Sequence, residues 1–341
     1  MFAYVGSYTT PERKGHGNGI NVYRVDPRSG AFRHIQTLGG LENPSFLAIN
    51  KAGTHLYSVH GDRSEATAYT IHARTGHLSV LNRQSTGGYN VIHLDFDATG
   101  RFLVVTNYGT DTIAALPIAE DGSLRRYSTL TTVTGTPGPH RREQNNIRPH
   151  HNPLDREGKH FFLPCKGGDV VIAYRLDRKR GVAVEAARVT SRPGAGPRHI
   201  DFHPKKPFAY VINELDSTIT TYRKSGPVLA PLQTTPSCPD TFTGYSTGAE
   251  IWVGRDGRRG GGQRRGRDER AAERRGPADR GADQGPHEEA SRRADLPRAG
   301  GQRCGIPGAG LHLPGRPGCD AEGNRVQALR HDGRAGQERE D

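Results

Sequence analysis

The chain is short of the residues that build a large apolar interior. Hydrophobic residues make up 33% of its 341 positions and aromatics 7%, with a single Trp and a single Met, and the mean hydropathy is −0.74. No run approaches the roughly 18 to 20 apolar residues of a membrane-spanning helix, so no membrane partner is expected. The four cysteines, Cys165, Cys238, Cys304 and Cys319, match neither zinc-ligand nor Cys-x-x-Cys spacing. Structural zinc and thiol redox chemistry are therefore not expected. Met1–Tyr8 alternates like a strand and lacks the charged and then apolar regions of a secretory leader, so the chain reads as cytoplasmic. The net charge is +12, but the Lys and Arg residues form no stripe and no nucleic-acid-binding module, so no nucleic acid is expected. The positive excess suits a phosphorylated or carboxylated small molecule, and it suits simple solubility equally well.

The shortage is uneven. Every Phe, Tyr and Trp lies before Arg258. Beyond it Arg, Gly, Ala, Pro, Asp and Glu dominate, with one Ile (Ile306), one Val (Val326), a handful of Leu and no Lys. Such a segment buries too little apolar surface to offset the entropy of ordering. Residues 1–258 therefore read as a folded domain and 259–341 as a disordered tail.

Within the first part a unit recurs at roughly 40 to 50 residues, the range of propeller blades. Asn43–Val59 runs on through Ala66–Ile71 to Leu78. Ile92–Tyr108 runs on through Thr112–Ile118 to Leu124. A third unit spans Pro149 to Leu176, a fourth Gly196 to Tyr222, and a fifth starts at Gly248 and stops at the turn Asp256-Gly257-Arg258. Each unit reads as short Val-, Ile-, Tyr- and Phe-rich strands separated by Asp-Gly or Thr-Gly turns. Four strands per repeat of this length predict an all-β propeller; a sandwich needs no such repeat, and solenoid repeats are shorter.

The segments HLDFDATGRFLVVTNYGTDTIAALPIAEDGSL, RPHHNPLDREGKHFFLPCKGGDVVIAYRLD, GAGPRHIDFHPKKPFAYVINELDSTITTYR and YSTGAEIWVGRDGR, with the opening YVGSYT, resemble successive blades of the lactonase propeller family. That family includes 6-phosphogluconolactonases and proteins once labelled carboxymuconate cyclases. The resemblance implies seven blades around a central channel, a monomer, no cofactor, and a site built from the loops that lead into each innermost strand. The expected activity is hydrolysis of a sugar-acid lactone, first of all 6-phosphogluconolactone in the pentose phosphate route. Alternatives are a muconate-type cyclase, a non-catalytic binding propeller and an inactive product. The Pro164-Cys-Lys-Gly-Gly-Asp169 stretch departs from the acidic and apolar residues usual after that proline, so no role is borrowed for that loop.

His93, His150, His151, Arg198, His199 and Glu250 all fall at or just before the first strand of their units, and equivalent positions of a propeller converge near its axis. Lactone hydrolysis needs an activated water and cationic or N–H groups where the oxyanion develops. The expected catalytic set is His151 or His150 as base, Arg198 as anion clamp or oxyanion stabiliser, and Glu250 orienting a histidine or binding sugar hydroxyls. His93, His199, Asn107 and Glu214 are expected to bind substrate. Glu214 and Asp216 are as readily loop caps, Asn107 and Asn213 are readable as Asx turns, and His203 as a turn support. No carboxylate stands at ligand spacing beside the His150–His151 pair, so no metal is expected.

After Arg258 every other unit continues with an apolar strand, whereas this one reads Arg259-Gly-Gly-Gly-Gln-Arg-Arg265. Glycine codons read one base later become valine codons when thymine is central, so Gly260–Gly262 could conceal Val-Val-Val and Gln263 an Asn or Ser. The expectation is a frameshifted propeller of about four and a half blades, with Met1–Tyr8 deprived of its closing partner and sheet edges open to aggregation. Sequencing the codons for Gly257 to Arg267 tests this: a one-base change that restores a valine-rich strand is expected, and a frame that offers no such strand makes the Arg/Gly tail genuine.

Overall fold

The computed structural model describes residues 1–265 and three short strands beyond them, Gly318–Cys319, Arg325–Val326 and Leu329–His331. The rest of the expected disordered tail lies outside the described residues.

The strands form antiparallel blades in chain order. The first blade holds β1 (Phe2–Gly6), β2 (Ile20–Val25) and β3 (Phe32–Leu38). The second holds β4 (Pro44–Ile49), β5 (His55–His60), β6 (Glu65–Ile71) and β7 (Leu78–Ser85). The third holds β8 (Val91–Phe96), β9 (Phe102–Asn107), β10 (Thr112–Pro117) and β11 (Leu130–Thr132). In the fourth, β12 (Phe161–Cys165), β13 (Val170–Asp177) and β14 (Val182–Thr190) follow an inner segment joined to β12 by the bridges Pro149↔Cys165 and Leu154↔Phe161. The fifth holds β15 (Pro197–Phe202), β16 (Phe208–Asn213), β17 (Thr218–Ser225) and β18 (Val228–Pro236), and a hairpin of β19 (Ser246–Val253) and β20 (Arg259–Arg265) begins the next.

Burial explains why these segments read as they do. The second strands lie between neighbouring blades and are buried on both faces, so β9 and β16 are nearly continuous apolar runs. The outermost strands β3, β7, β14 and β18 face solvent and are largely exposed or half-buried. Apolar residues are therefore concentrated in the interfaces between blades, which explains how a chain of low hydropathy folds. Phe2, Tyr4, Ile20, Leu47, Leu56 and Tyr69 join the first two blades, and Tyr57, Val59, Leu94, Leu103 and Leu116 the second and third. Hydrogen bonds repeat the fastening: Tyr4 Oη donates to Gly76 O at 3.0 Å and Tyr57 Oη to Gly122 O at 2.8 Å. Ion pairs do the same, with Arg178 at 2.6 Å from Asp97 and Lys224 at 3.1 Å from Asp155.

The structure corrects the sequence reading in two places. Residues 2–38, of which only the stretch to Tyr8 read as a strand, supply three strands of a further blade. And β1 is not deprived of a partner, because Phe2, Ala3 and Tyr4 pair with His331, Arg330 and Leu329. Pairing also continues past Arg258: Gly260, Gly261 and Gly262 stand opposite Trp252, Ile251 and Glu250, and Gln263 opposite Gly248. In the third blade the same register is held by Val104, Val105, Thr106 and Asn107.

Glycine side chains add nothing to packing, and the last interface shows it. Among the described residues, only Tyr210, Ile212, Ile219 and Ile251 form the buried cluster there, against nine or more in each of the others. A Cβ built on Gly262 would meet Glu250 Cβ at an ordinary 3.7 Å. Gly262→Ala is therefore expected to raise the unfolding free energy by about 0.5–1 kcal/mol by relieving a mid-strand glycine. A lower denaturation midpoint would contradict the strand assignment.

Candidate active site

Three sets of equivalent residues build the site. The residue before each inner strand is left-handed: Asn43, Asn90, Arg148 and Gly196 have φ of 42°, 54°, 50° and 64°. Its carbonyl accepts the backbone N–H of the residue just after the second strand, which is Gly61, Tyr108, Lys166 and Glu214 in turn. Two residues further on, the inner strands of the second, third and fifth blades and of the last hairpin carry a β-bulge, at Ser45, Ile92, Arg198 and Ala249, and His150 holds that place in the fourth blade. A bulge re-aims the side chains around it, so His150 and His151, or Arg198 and His199, serve one site although they are consecutive.

The residues just after the bulge converge. Phe46 and His93 have ring centroids 3.9 Å apart, His93 and His151 4.1 Å, and His151 stacks on His199 at 4.2 Å with 4° between planes. His199 Nδ1 donates to Glu250 Oε1 at 2.9 Å. Glu250 thus reaches His199. His93 Nδ1 lies 2.6 Å from Asn152 Oδ1, and His150 packs on His199 at 5.1 Å. All four histidines are buried. The Glu250 side chain keeps 31% exposure, yet its burial among the strands lifts its pKa to about 7.

A charged cluster stands beside these rings. Arg198 is 1% exposed. Its Nε lies 2.8 Å from Glu214 Oε2, a contact outside hydrogen-bond alignment, and its Nη2 has no hydrogen-bond partner. Glu214 Oε1 accepts from Lys166 Nζ at 3.3 Å, and Lys166 Nζ also donates to Glu143 at 2.8 Å. Arg148 Nη1 donates to Glu143 at 3.1 Å and to Tyr108 Oη at 3.2 Å. Tyr108 packs edge-on against His150 at 5.5 Å. Burial opposes the charge on Lys166, but Glu214, Tyr108 and Glu143 together outweigh it, and the amine is held above its ordinary value.

The structure therefore brings together His93, His150, His151, Arg198, His199, Glu214 and Glu250. Asn107 stands apart from them: its amide donates to Thr86 O and Thr112 Oγ1 and ties a blade loop. His203 accepts the N–H groups of Lys205 and Lys206 and supports a turn. The sequence reading missed Lys166, Tyr108, Arg148 and Glu143. Aligning the units on Glu214 would have found Lys166 and Tyr108, which occupy the same position one and two blades earlier. Among the described residues, no three of His, Cys, Asp and Glu are arranged to hold a metal ion.

Comparison with known proteins agrees with this architecture. The sequence pattern of the lactonase family, a seven-bladed β-propeller, matches residues 2–271. A 6-phosphogluconolactonase of Bacillus subtilis is 34% identical over 75% of this chain and 72% of its own length. One of Formosa agariphila is 30% identical over 64% of this chain and 63% of its own length. Among solved structures, a periplasmic gluconolactonase of Pseudomonas aeruginosa superposes with a TM-score of 0.70 at 27% identity, over 77% of this chain and 76% of that one. The chain belongs to the seven-bladed β-propeller lactonase family.

Buried carboxyl groups set the response of this region to pH. Burial raises Glu250 from 4.5 to about 7 and Asp95 from 3.8 to about 6. Both hold protons more tightly folded than unfolded. Their contribution to stability is complete below the unfolded values and is lost as pH rises through the folded ones. Glu250→Gln is expected to flatten the decline in unfolding free energy between pH 4.5 and about 7; denaturant titrations at several pH values giving an unaltered profile would refute the assignment.

Proposed function

We propose that this chain hydrolyses a sugar-acid lactone, 6-phosphogluconolactone first, within the pentose phosphate route of the cytoplasm. Family membership and the names of its relatives support the reaction class. The observation that carries the reading to particular residues is Arg198, a guanidinium removed from solvent with its Nη2 donor unspent beside a cluster of histidines. Such a donor is costly unless an acceptor meets it, and the developing oxyanion of a lactone carbonyl is one.

In the proposed mechanism a water attacks the lactone carbonyl carbon while a histidine takes its proton. Negative charge gathers on the carbonyl oxygen against Arg198, whose orientation Glu214 holds. Collapse breaks the ring C–O bond, and the protonated histidine returns its proton to the departing hydroxyl. The base is His150. His151 Nδ1 accepts the N–H of Ile200 at 3.2 Å, so its neutral ring carries the proton on Nε2 and can only donate there. His199, fixed by Glu250, backs His150, and His93 closes the ring of side chains.

The domain reading also stands as a proposal: a shifted frame after Arg258. Its support is the register, which sets Gly260–Gly262 and Gln263 where the third blade has Val104–Thr106 and Asn107.

Hydrolysis followed above the spontaneous background tests the site. Arg198→Met is expected to lower kcat by about 100-fold or more, the range for loss of an oxyanion donor, and His150→Asn to cost more than His151→Asn. Full activity in folded Arg198→Met protein would overturn the mechanism.

A further inference from the structure

The connection between β11 and the inner segment of the fourth blade carries Glu143 over the charged cluster. The Glu143 side chain is 40% exposed, whereas those of Lys166 and Arg148 beneath it are 6% and 19% exposed. A single oxygen, Oε2, bridges both cations at 2.8 and 3.1 Å. The neighbouring Gln144 pins the backbone: it is 3% exposed, its Nε2 donates to Lys166 O at 2.9 Å, and its Oε1 accepts the N–H of His140 at 2.9 Å. The Glu143 side chain can thus swing into solvent by rotation alone, with the loop in place. Arg148, Lys166 and Arg198 supply three positive charges and Glu143 and Glu214 two negative ones, so a departure of Glu143 uncovers Lys166 and Arg148 and leaves Glu214 as the one counter-ion of three cations.

We propose that Lys166 and Arg148 form the subsite for the phosphate of a phosphorylated lactone, and that the Glu143 carboxylate is its displaceable resident. The inference rests on the lactone reading for the identity of the substrate. A phosphate monoester offers several oxygens and up to two negative charges where Glu143 offers one, and it gains charge-assisted hydrogen bonds to an ammonium and a planar guanidinium. Glu214, which pairs with Lys166 on one side and Arg198 on the other, couples the phosphate subsite to the proposed oxyanion donor.

Calorimetric binding of 6-phosphogluconate and of gluconate to the full chain tests this. The wild-type protein is expected to prefer 6-phosphogluconate. Lys166→Met should reduce that preference by about tenfold or more, the worth of a hydrogen bond to a charged group, and Lys166→Arg should restore most of it. Glu143→Gln, which removes the competing charge, should tighten 6-phosphogluconate several-fold with little effect on gluconate. Equal losses for both sugars in Lys166→Met, or unchanged or weaker 6-phosphogluconate binding in Glu143→Gln, would overturn the subsite. A chain that shows the Lys166-dependent preference but turns over neither 6-phosphogluconolactone nor gluconolactone would leave the subsite standing and overturn the lactonase reading. Absence of any preference in the wild-type protein would overturn the subsite whether or not lactones are hydrolysed.

Discussion

The extra residue near the start of the inner strands β4, β8, β15 and β19 governs where the polar side chains go. A regular strand alternates, so one of two consecutive residues would turn into a blade interface. The bulge breaks that alternation next to a left-handed residue whose carbonyl is held by the following loop. Because the device recurs from blade to blade, residues about fifty positions apart meet: His93, His151, His199 and Glu250 in one set, His150 and Arg198 in another. The same backbone hydrogen bond brings Tyr108, Lys166 and Glu214 alongside. Blades that pack through continuous apolar second strands hold these sets at fixed spacing, and the exposed outer strands take no part.

Much of this was legible in the sequence. The recurrence of strand and turn identified the propeller, and counting into each unit singled out His150, His151, Arg198, His199 and Glu250. Misreadings had physical causes. The first blade went unrecognised because residues 2–38 lack the inner-strand segment that marks the other units; β1 is paired instead with Leu329–His331, from a part of the chain whose composition suggests no strand. Asn107 was misplaced because it ends a strand, where a polar residue serves the turn as readily as a ligand. Lys166 escaped because it stands where resemblance failed, and its role rests on Glu143, a loop residue that no periodicity indicates.

The region after Arg258 shows how far backbone pairing and packing can separate. Arg259–Arg265 pairs with β19 through its main chain, yet its glycines leave the adjoining interface with four buried apolar residues. Hydrogen bonds hold the hairpin, while the apolar contacts that lock the other blades are thin. Glu250 sits on this hairpin and keeps partial exposure, whereas the histidines it adjoins are buried. The hairpin beside the smallest buried apolar cluster among the described residues thus carries the carboxylate that fixes His199.

The central claim is that the bulge-placed residues of the fourth and fifth blades receive the reacting end of a sugar acid. A crystal structure of the full chain with 6-phosphogluconate bound tests it most directly. The account predicts the product carboxylate on Arg198 and beside His150, with the sugar lying across the histidine rings. A product bound away from Arg198, or on the opposite face of the blades, would contradict it.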